Sequence, residues 1–180
     1  MLSDDQMQTV KNALFTDDSL HIYAVVDGAA CPELRFQIHE FKPQSTCLWS
    51  GKLAPDIEEV APYLVLLERD SELTDWMLKN GCANFWNIFV ASSLVLKDMR
   101  KQIRKLLLVR SPSGKSMVFR FFDPRVLETF LPLCDEAQLQ MFFSGIQKVL
   151  AVSEHSPTLI ESKMKTVDKV NRLHQVSINI

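Results

Sequence analysis

The sequence predicts an α/β (mixed α+β) protein, and three observations carry that reading. Short runs rich in β-branched and aromatic residues alternate with helix-patterned segments through the first two thirds of the chain. Helical spacing dominates the last third. Proline, glycine and asparagine stand at the joints, where chain reversal needs them. The expected architecture is an N-terminal lobe over residues 1–123, with a mixed sheet flanked by helices and closed by a hairpin. A C-terminal helical lobe is expected over 124–152 and an amphipathic helical tail over 153–180.

Residues 20–26 (LHIYAVV) read as a strand that runs into a turn at Asp27-Gly28. Pro32 opens a helix over 33–41, with Leu34, Ile38 and Phe41 on one stripe, and Pro43 closes it. A short strand over 46–50 and a short helix begun by Pro55 come next. YLVLL, 63–67, is continuously apolar, as expected of a strand covered on both faces. Ser71 caps a helix over 72–79 that Asn80-Gly81 stops. A strand over 86–91 leads to a helix capped by Ser92 or Ser93 and running to about Lys105. Residues 106–111 and 116–122 flank Pro112-Ser113-Gly114-Lys115 as a hairpin. Helices over 125–131 and, capped by Asp135, 136–150 complete the core.

Composition narrows function. The chain has 180 residues, 47% of them hydrophobic, enough to bury a core without a staple. Twenty Lys and Arg against 22 Asp and Glu leave a formal charge of −2, which does not suit a protein that coats nucleic acid. Cys31, Cys47, Cys82 and Cys134 are far apart with no C-x-x-C pair, so reduced, mostly buried thiols are expected. The first ten residues are polar and acidic, unlike a signal peptide. No apolar run approaches the ~20 residues of a membrane span. A cytoplasmic location is expected, without stable membrane association.

Chemical signals are few. SPSGKS, 111–116, ends like a phosphate-binding loop, but Val109 stands where that loop needs its first glycine and a strand follows instead of a helix. His21, His39, His155 and His174 belong to no catalytic or metal motif, although a spatial pairing of His21 or His39 with Cys31 stays open. Neither a cofactor, a metal nor a small-molecule substrate is expected. In RFFDPRV, Asp123 before Pro124 reads as a helix cap, and Arg120 and Arg125 can join it in a charge-assisted network. Those arginines tie elements together or grip a partner's carboxylate; Asp27 is a further candidate for the cluster. Arg100, Lys101, Arg104 and Lys105 form a basic helix stripe, either solvated or docking an acidic protein patch. In the tail, Ile160, Met164, Val167, Val170 and Leu173 follow a three-to-four spacing with basic residues between them. That reads as a basic amphipathic helix, packed on its own lobe or gripping a partner as a mobile arm.

Four segments taken together carry a resemblance: LHIYAVVDGA (20–29), LAPDIEEVAPYLVLLERDSELTDWMLKNG (53–81), WNIFVASS (86–93) and LLLVRSPSGKSMVFRFFDPRVLETFLPLCDEAQLQMFFSGI (106–146). The chain is similar over 20–149 to the type VI secretion effector-adaptor family, the Tap or Tec chaperones. The ordered series APYLV, a W-x-IF strand and FRFFDPRVL is the specific part. That family often has Gly after the tryptophan and Tyr in FRFYDPRV, where this chain has Asn87 and Phe122. The resemblance implies an adaptor that is not an enzyme. It would bind a toxic effector in the bacterial cytoplasm and help it dock on the VgrG spike protein. It implies no catalytic residues. Of the family-pattern residues Asp27, Trp86, Arg120, Asp123 and Arg125, most would hold the fold, with partner contact at Arg120 and Arg125. An immunity protein and a small cysteine/histidine hydrolase using Cys31 are the competing expectations.

Overall fold

A computed structural model describes residues 1–111 and 113–180. Pro112, which the sequence assigns to the hairpin turn, lies outside the described residues. In chain order the elements begin with α1 (Asp4–Leu14), β1 (His21–Val26), α2 (Leu34–Phe41), β2 (Ser45–Cys47), α3 (Pro55–Glu59), β3 (Tyr63–Leu67) and α4 (Glu72–Trp76). Then follow β4 (Asn87–Ser92), α5 (Leu96–Leu106), β5 (Leu108–Arg110), β6 (Ser116–Val118), α6 (Pro124–Phe130) and α7 (Glu136–Phe142). The chain closes with β7 (Lys148–Val152), β8 (Thr158–Val167) and β9 (Val170–Asn179).

Seven strands form one sheet in the order β2-β3-β1-β4-β7-β8-β9, and β5 and β6 pair separately. Every neighbour pair is antiparallel, which corrects the mixed sheet expected from the alternation of strands and helices. That alternation normally signals parallel crossovers. Here helices cover both faces of an antiparallel sheet, so the inner strands read as continuous apolar runs all the same. Along β1, Ile22, Ala24 and Val26 turn to one face, where they meet Val10 and Leu14 of α1, Leu34 of α2 and Leu73 of α4. Tyr23 and Val25 turn to the other, against Met99 and Ile103 of α5, Leu127 of α6 and Phe142 of α7. The period-2 geometry of a strand thus divides one apolar run between two cores.

Several joints differ from expectation. The helix begun at Ser71 does pass its cap, with the Ser71 hydroxyl accepting from the Thr74 N–H at 3.2 Å, but it widens into a π-helical turn at Met77–Gly81. Helix α5 starts after Val95, with no side-chain cap; the Ser92 hydroxyl donates to the Gly145 carbonyl at 2.6 Å and accepts from the Leu94 N–H at 3.0 Å. Helix α1 was not anticipated, although Ser3 and Gln6 form a capping box that marks its start.

The two largest corrections lie at the C-terminus. The helix expected over 136–150 ends at Phe142, and Lys148–Val152 is β7, paired with β4. Residues 124–152 therefore do not form a helical lobe; they supply two helices and a strand to the same layered core. The tail is not a helix either. It is the β8–β9 hairpin, with Met164 opposite Leu173 and Val167 opposite Val170. Asp168 and Lys169 turn it at positive φ, 52° and 67°, the two-residue geometry that matches strand twist. The three-to-four spacing that suggested a helix was overridden by the open edge of β7, whose backbone groups β8 satisfies. Among the described residues no helix is long and apolar enough to cross a membrane.

Asn87, 1% exposed at the start of β4, has no hydrogen-bond partner for either side-chain polar atom among the described residues. A buried unsatisfied amide costs about 1–3 kcal/mol. Asn87→Ala is expected to raise the melting temperature by about 2 °C. A drop of that size in differential scanning calorimetry would show that the amide is satisfied after all.

Candidate functional site

The family-like residues converge where β1 ends. Asp27 follows β1 directly, and its N–H donates to the Trp86 carbonyl at 2.8 Å, locking it to the residue just before β4. Its carbonyl accepts from the N–H groups of Ala30 and Cys31, and its Oδ1 accepts from the Ala29 N–H at 3.0 Å. These bonds turn the chain sharply and leave Oδ2 pointing at Arg120, which pairs with it. The Asp27 side chain is 4% exposed and that of Arg120 51%, so the guanidinium caps a buried carboxylate from the solvent side. The next residue, Gly28, runs against the Ala61 carbonyl, where a Cβ would collide.

Asp123 forms the second half of the site. As read from Asp-Pro in the sequence, it caps α6, accepting from the Arg125 N–H at 3.1 Å. It also takes a two-pronged pair from the Arg125 guanidinium, Nε to Oδ1 at 2.9 Å and Nη2 to Oδ2 at 2.8 Å. Burial acts to raise the Asp123 carboxyl, but the Arg125 hydrogen bonds and the nearby charges of Arg125 and Arg120 outweigh it and hold it below the usual range. The Arg125 guanidinium lies over the Phe85 ring, 5.4 Å from its centre. Trp86 packs on Trp76 with ring centres 5.6 Å apart. Between the two arginines, Phe121 and Phe122 are buried in the α5–α7 face of the core.

Asp27, Trp86 and Arg120 thus meet at the end of β1, while Asp123 and Arg125 pair with each other at the start of α6. Each arginine already faces a carboxylate of this chain. Arg120→Ala is expected to cost about 1–3 kcal/mol, because it strands the Asp27 carboxylate. Asp27→Asn combined with Arg120→Ala should cost less than the sum of the two single changes. Additive losses in urea unfolding would mean that the pair is not coupled.

The other predicted residues are dispersed. Arg100 donates from Nε to the Cys47 carbonyl at 2.9 Å and from Nη2 to the Trp49 carbonyl at 3.3 Å, fastening α5 to the β2 strand and the segment after it. Lys101 pairs with Asp98 on the same helix. Arg104 and Lys105 have no carboxylate within ion-pair distance among the described residues. Ile160 and Met164 are partly buried in the sheet, and Val167 and Val170 sit exposed at the hairpin tip. No arm-like helix presents them. Gly114, in the phosphate-loop look-alike, sits at φ +81 in the β5–β6 turn, and strand β6 follows.

Cys31 and Cys82 are buried, and burial pushes both thiols up to about 12. His39 is exposed on α2. Among the described residues no three His, Cys, Asp or Glu side chains converge as metal ligands would. Sequence reasoning missed the buried Lys148, whose only signal was a lysine at the start of an apolar run.

Fold and site together define an α+β protein whose seven-stranded antiparallel sheet is tied, at the end of β1, to the segment before α6 by the Asp27–Arg120 pair. The chain belongs to the family described as Domain of unknown function (DUF4123), whose model matches residues 22–141. No curated protein and no solved structure matches it.

Proposed function

We propose that this protein is a cytoplasmic adaptor chaperone that binds a type VI secretion toxin effector and promotes its loading onto the VgrG spike. One observation carries the reading. The ordered series APYLV, WNIFVASS and FRFFDPRVL, by which the chain resembles such adaptors, falls inside the region 22–141 matched to its family. Arg120 of that series forms the tie to Asp27 at the end of β1 and its DPRV part caps α6, so the resemblance rests on residues that shape this fold. The hydrolase alternative needs a Cys31 thiolate, and full burial of that thiol opposes it.

The test is affinity purification of the tagged full chain from its own bacterium, with mass spectrometry of what accompanies it. A stoichiometric toxin, with or without the spike protein, is expected. Recovery of the chain alone, while the secretion system and its toxins are expressed, would overturn the reading. Deleting the gene separates an adaptor from an immunity protein. Loss of an adaptor stops toxin delivery and leaves the producer healthy, whereas loss of an immunity protein poisons the producer.

A further inference from the structure

Strands β5 and β6 form a two-stranded sheet apart from the main one. Such a hairpin is marginal in water without further cover. All six of its strand residues are exposed, and four are apolar: Leu108 66%, Val109 38%, Met117 47% and Val118 50%. Leu108 is opposite Val118, and Val109 is opposite Met117. Direct partners share a face and successive residues alternate, so the hairpin is apolar on both sides. Soluble proteins usually blunt such free strands with charge.

A cleft lies against each side. One, about 300 Å³, is walled by Val109, Phe119, Phe130 and Met141 and carries Lys105. The other, about 340 Å³, is walled by Trp49, Leu53 and Val118 and carries Arg104. Leu108 borders both. Arg104 and Lys105 are consecutive on α5, so the helix turn sends one cation to each cleft. No acidic residue lines either cleft, and neither cation has a carboxylate partner among the described residues. Arg110 on the hairpin and Lys115 in its turn have none either.

We propose that the β5–β6 hairpin is a clamp for an acidic, apolar segment of a protein partner. The segment's large apolar side chains fill the two clefts, and its carboxylates meet Arg104 and Lys105. The charge pattern selects this occupant: an apolar peptide without acids would leave both cations unpaired, and nucleic acid would leave both clefts unfilled. The inference rests on the adaptor reading only for the identity of the partner, which would be the toxin; the chemistry of the clamp is tested by itself.

The test uses the purified full chain and a displayed library of random 15-residue peptides. The expected result is enrichment of sequences that combine Asp or Glu with Leu, Ile or Phe. Arg104→Glu with Lys105→Glu should weaken the selected peptides about tenfold or more, as should Val109→Ser with Val118→Ser. Unchanged thermal melting would show that these variants remain folded; if one pair fails to fold, the other decides. No enrichment, enrichment without acidic residues, or binding that survives both pairs of substitutions would overturn the clamp. So would hairpin-dependent binding to vesicles of anionic lipid in place of peptides. Toxin recovered from the bacterium equally well by the wild type and the substituted chains sinks the clamp and leaves the adaptor reading standing. Selected acidic peptides with no toxin recovered sink the adaptor reading alone.

Discussion

Glu161→Ala is expected to destabilise the protein by about 3 kcal/mol, because it strands a buried cation. Lys148, 3% exposed on β7, donates from Nζ to the Ala13 carbonyl at 2.6 Å, to the Thr16 hydroxyl at 2.9 Å and to Glu161 Oε2 at 3.2 Å. One ammonium therefore joins the end of α1 to β7 and β8. Without Glu161 it keeps two neutral acceptors and, among the described residues, no carboxylate within ion-pair distance. Lys148→Met should cost less, since Glu161 retains Lys163 at 2.7 Å. Urea unfolding checks the order, and a Glu161→Ala loss below about 1 kcal/mol would place Lys148 in contact with water.

The same carboxylate gives stability a pH dependence. Burial acts to raise the Glu161 carboxyl, but hydrogen bonds from Lys163 and Lys148 and their charges outweigh it, leaving it below its ordinary value of 4.5. A folded-state value below the unfolded one stabilises at higher pH. The contribution is complete above 4.5 and is lost as pH falls through the lower folded value. Asp123, also held low, adds to the same acid-side loss. Both Glu161→Gln and Asp123→Asn should flatten stability against pH on that side.

Removing residues 158–180 is expected to abolish cooperative unfolding. The sequence alone suggested a helical tail over 153–180, packed on its own lobe or reaching out as a mobile arm, whose deletion would leave the core folded. The structure reverses that expectation, because the segment is two ten-residue strands at the edge of the main sheet. Its loss opens the whole edge of β7, removes the fully buried Leu159 and leaves Lys148 without Glu161. Aggregation by gel filtration and loss of a sharp thermal transition are the expected readouts. A truncated chain that melts within a few degrees of the full one would show that the hairpin contributes little to the core.

Much of the fold was legible where local and long-range preferences agree. LHIYAVV, YLVLL and NIFVA are strands in any context that buries them, and the caps at Ser71, Asp123 and Asp135 hold in the structure. The polar cluster was legible in part, because Asp-Pro-Arg encodes its own cap and side-chain pair. That Asp27 would complete it, 93 residues before Arg120, depends on where β1 ends relative to α6. Helix α1 was missed, although its capping box was present in the sequence.

The sequence by itself determined the identity of most helices and strands, the turn at Gly114 and the capped start of α6, because each follows from backbone preferences within a few residues. Tertiary structure alone decided the strand directions, the fate of the tail and which basic residues are free. The tail's apolar residues fit a helix or a strand, and the unpaired edge of β7 chose the strand. Arg100 and Arg104 are neighbours on one helical stripe with the same local chemistry. Only packing against β2 and the segment after it ties Arg100 to two backbone carbonyls, and only the clefts beside β5 leave Arg104 facing apolar walls with its charge unmet.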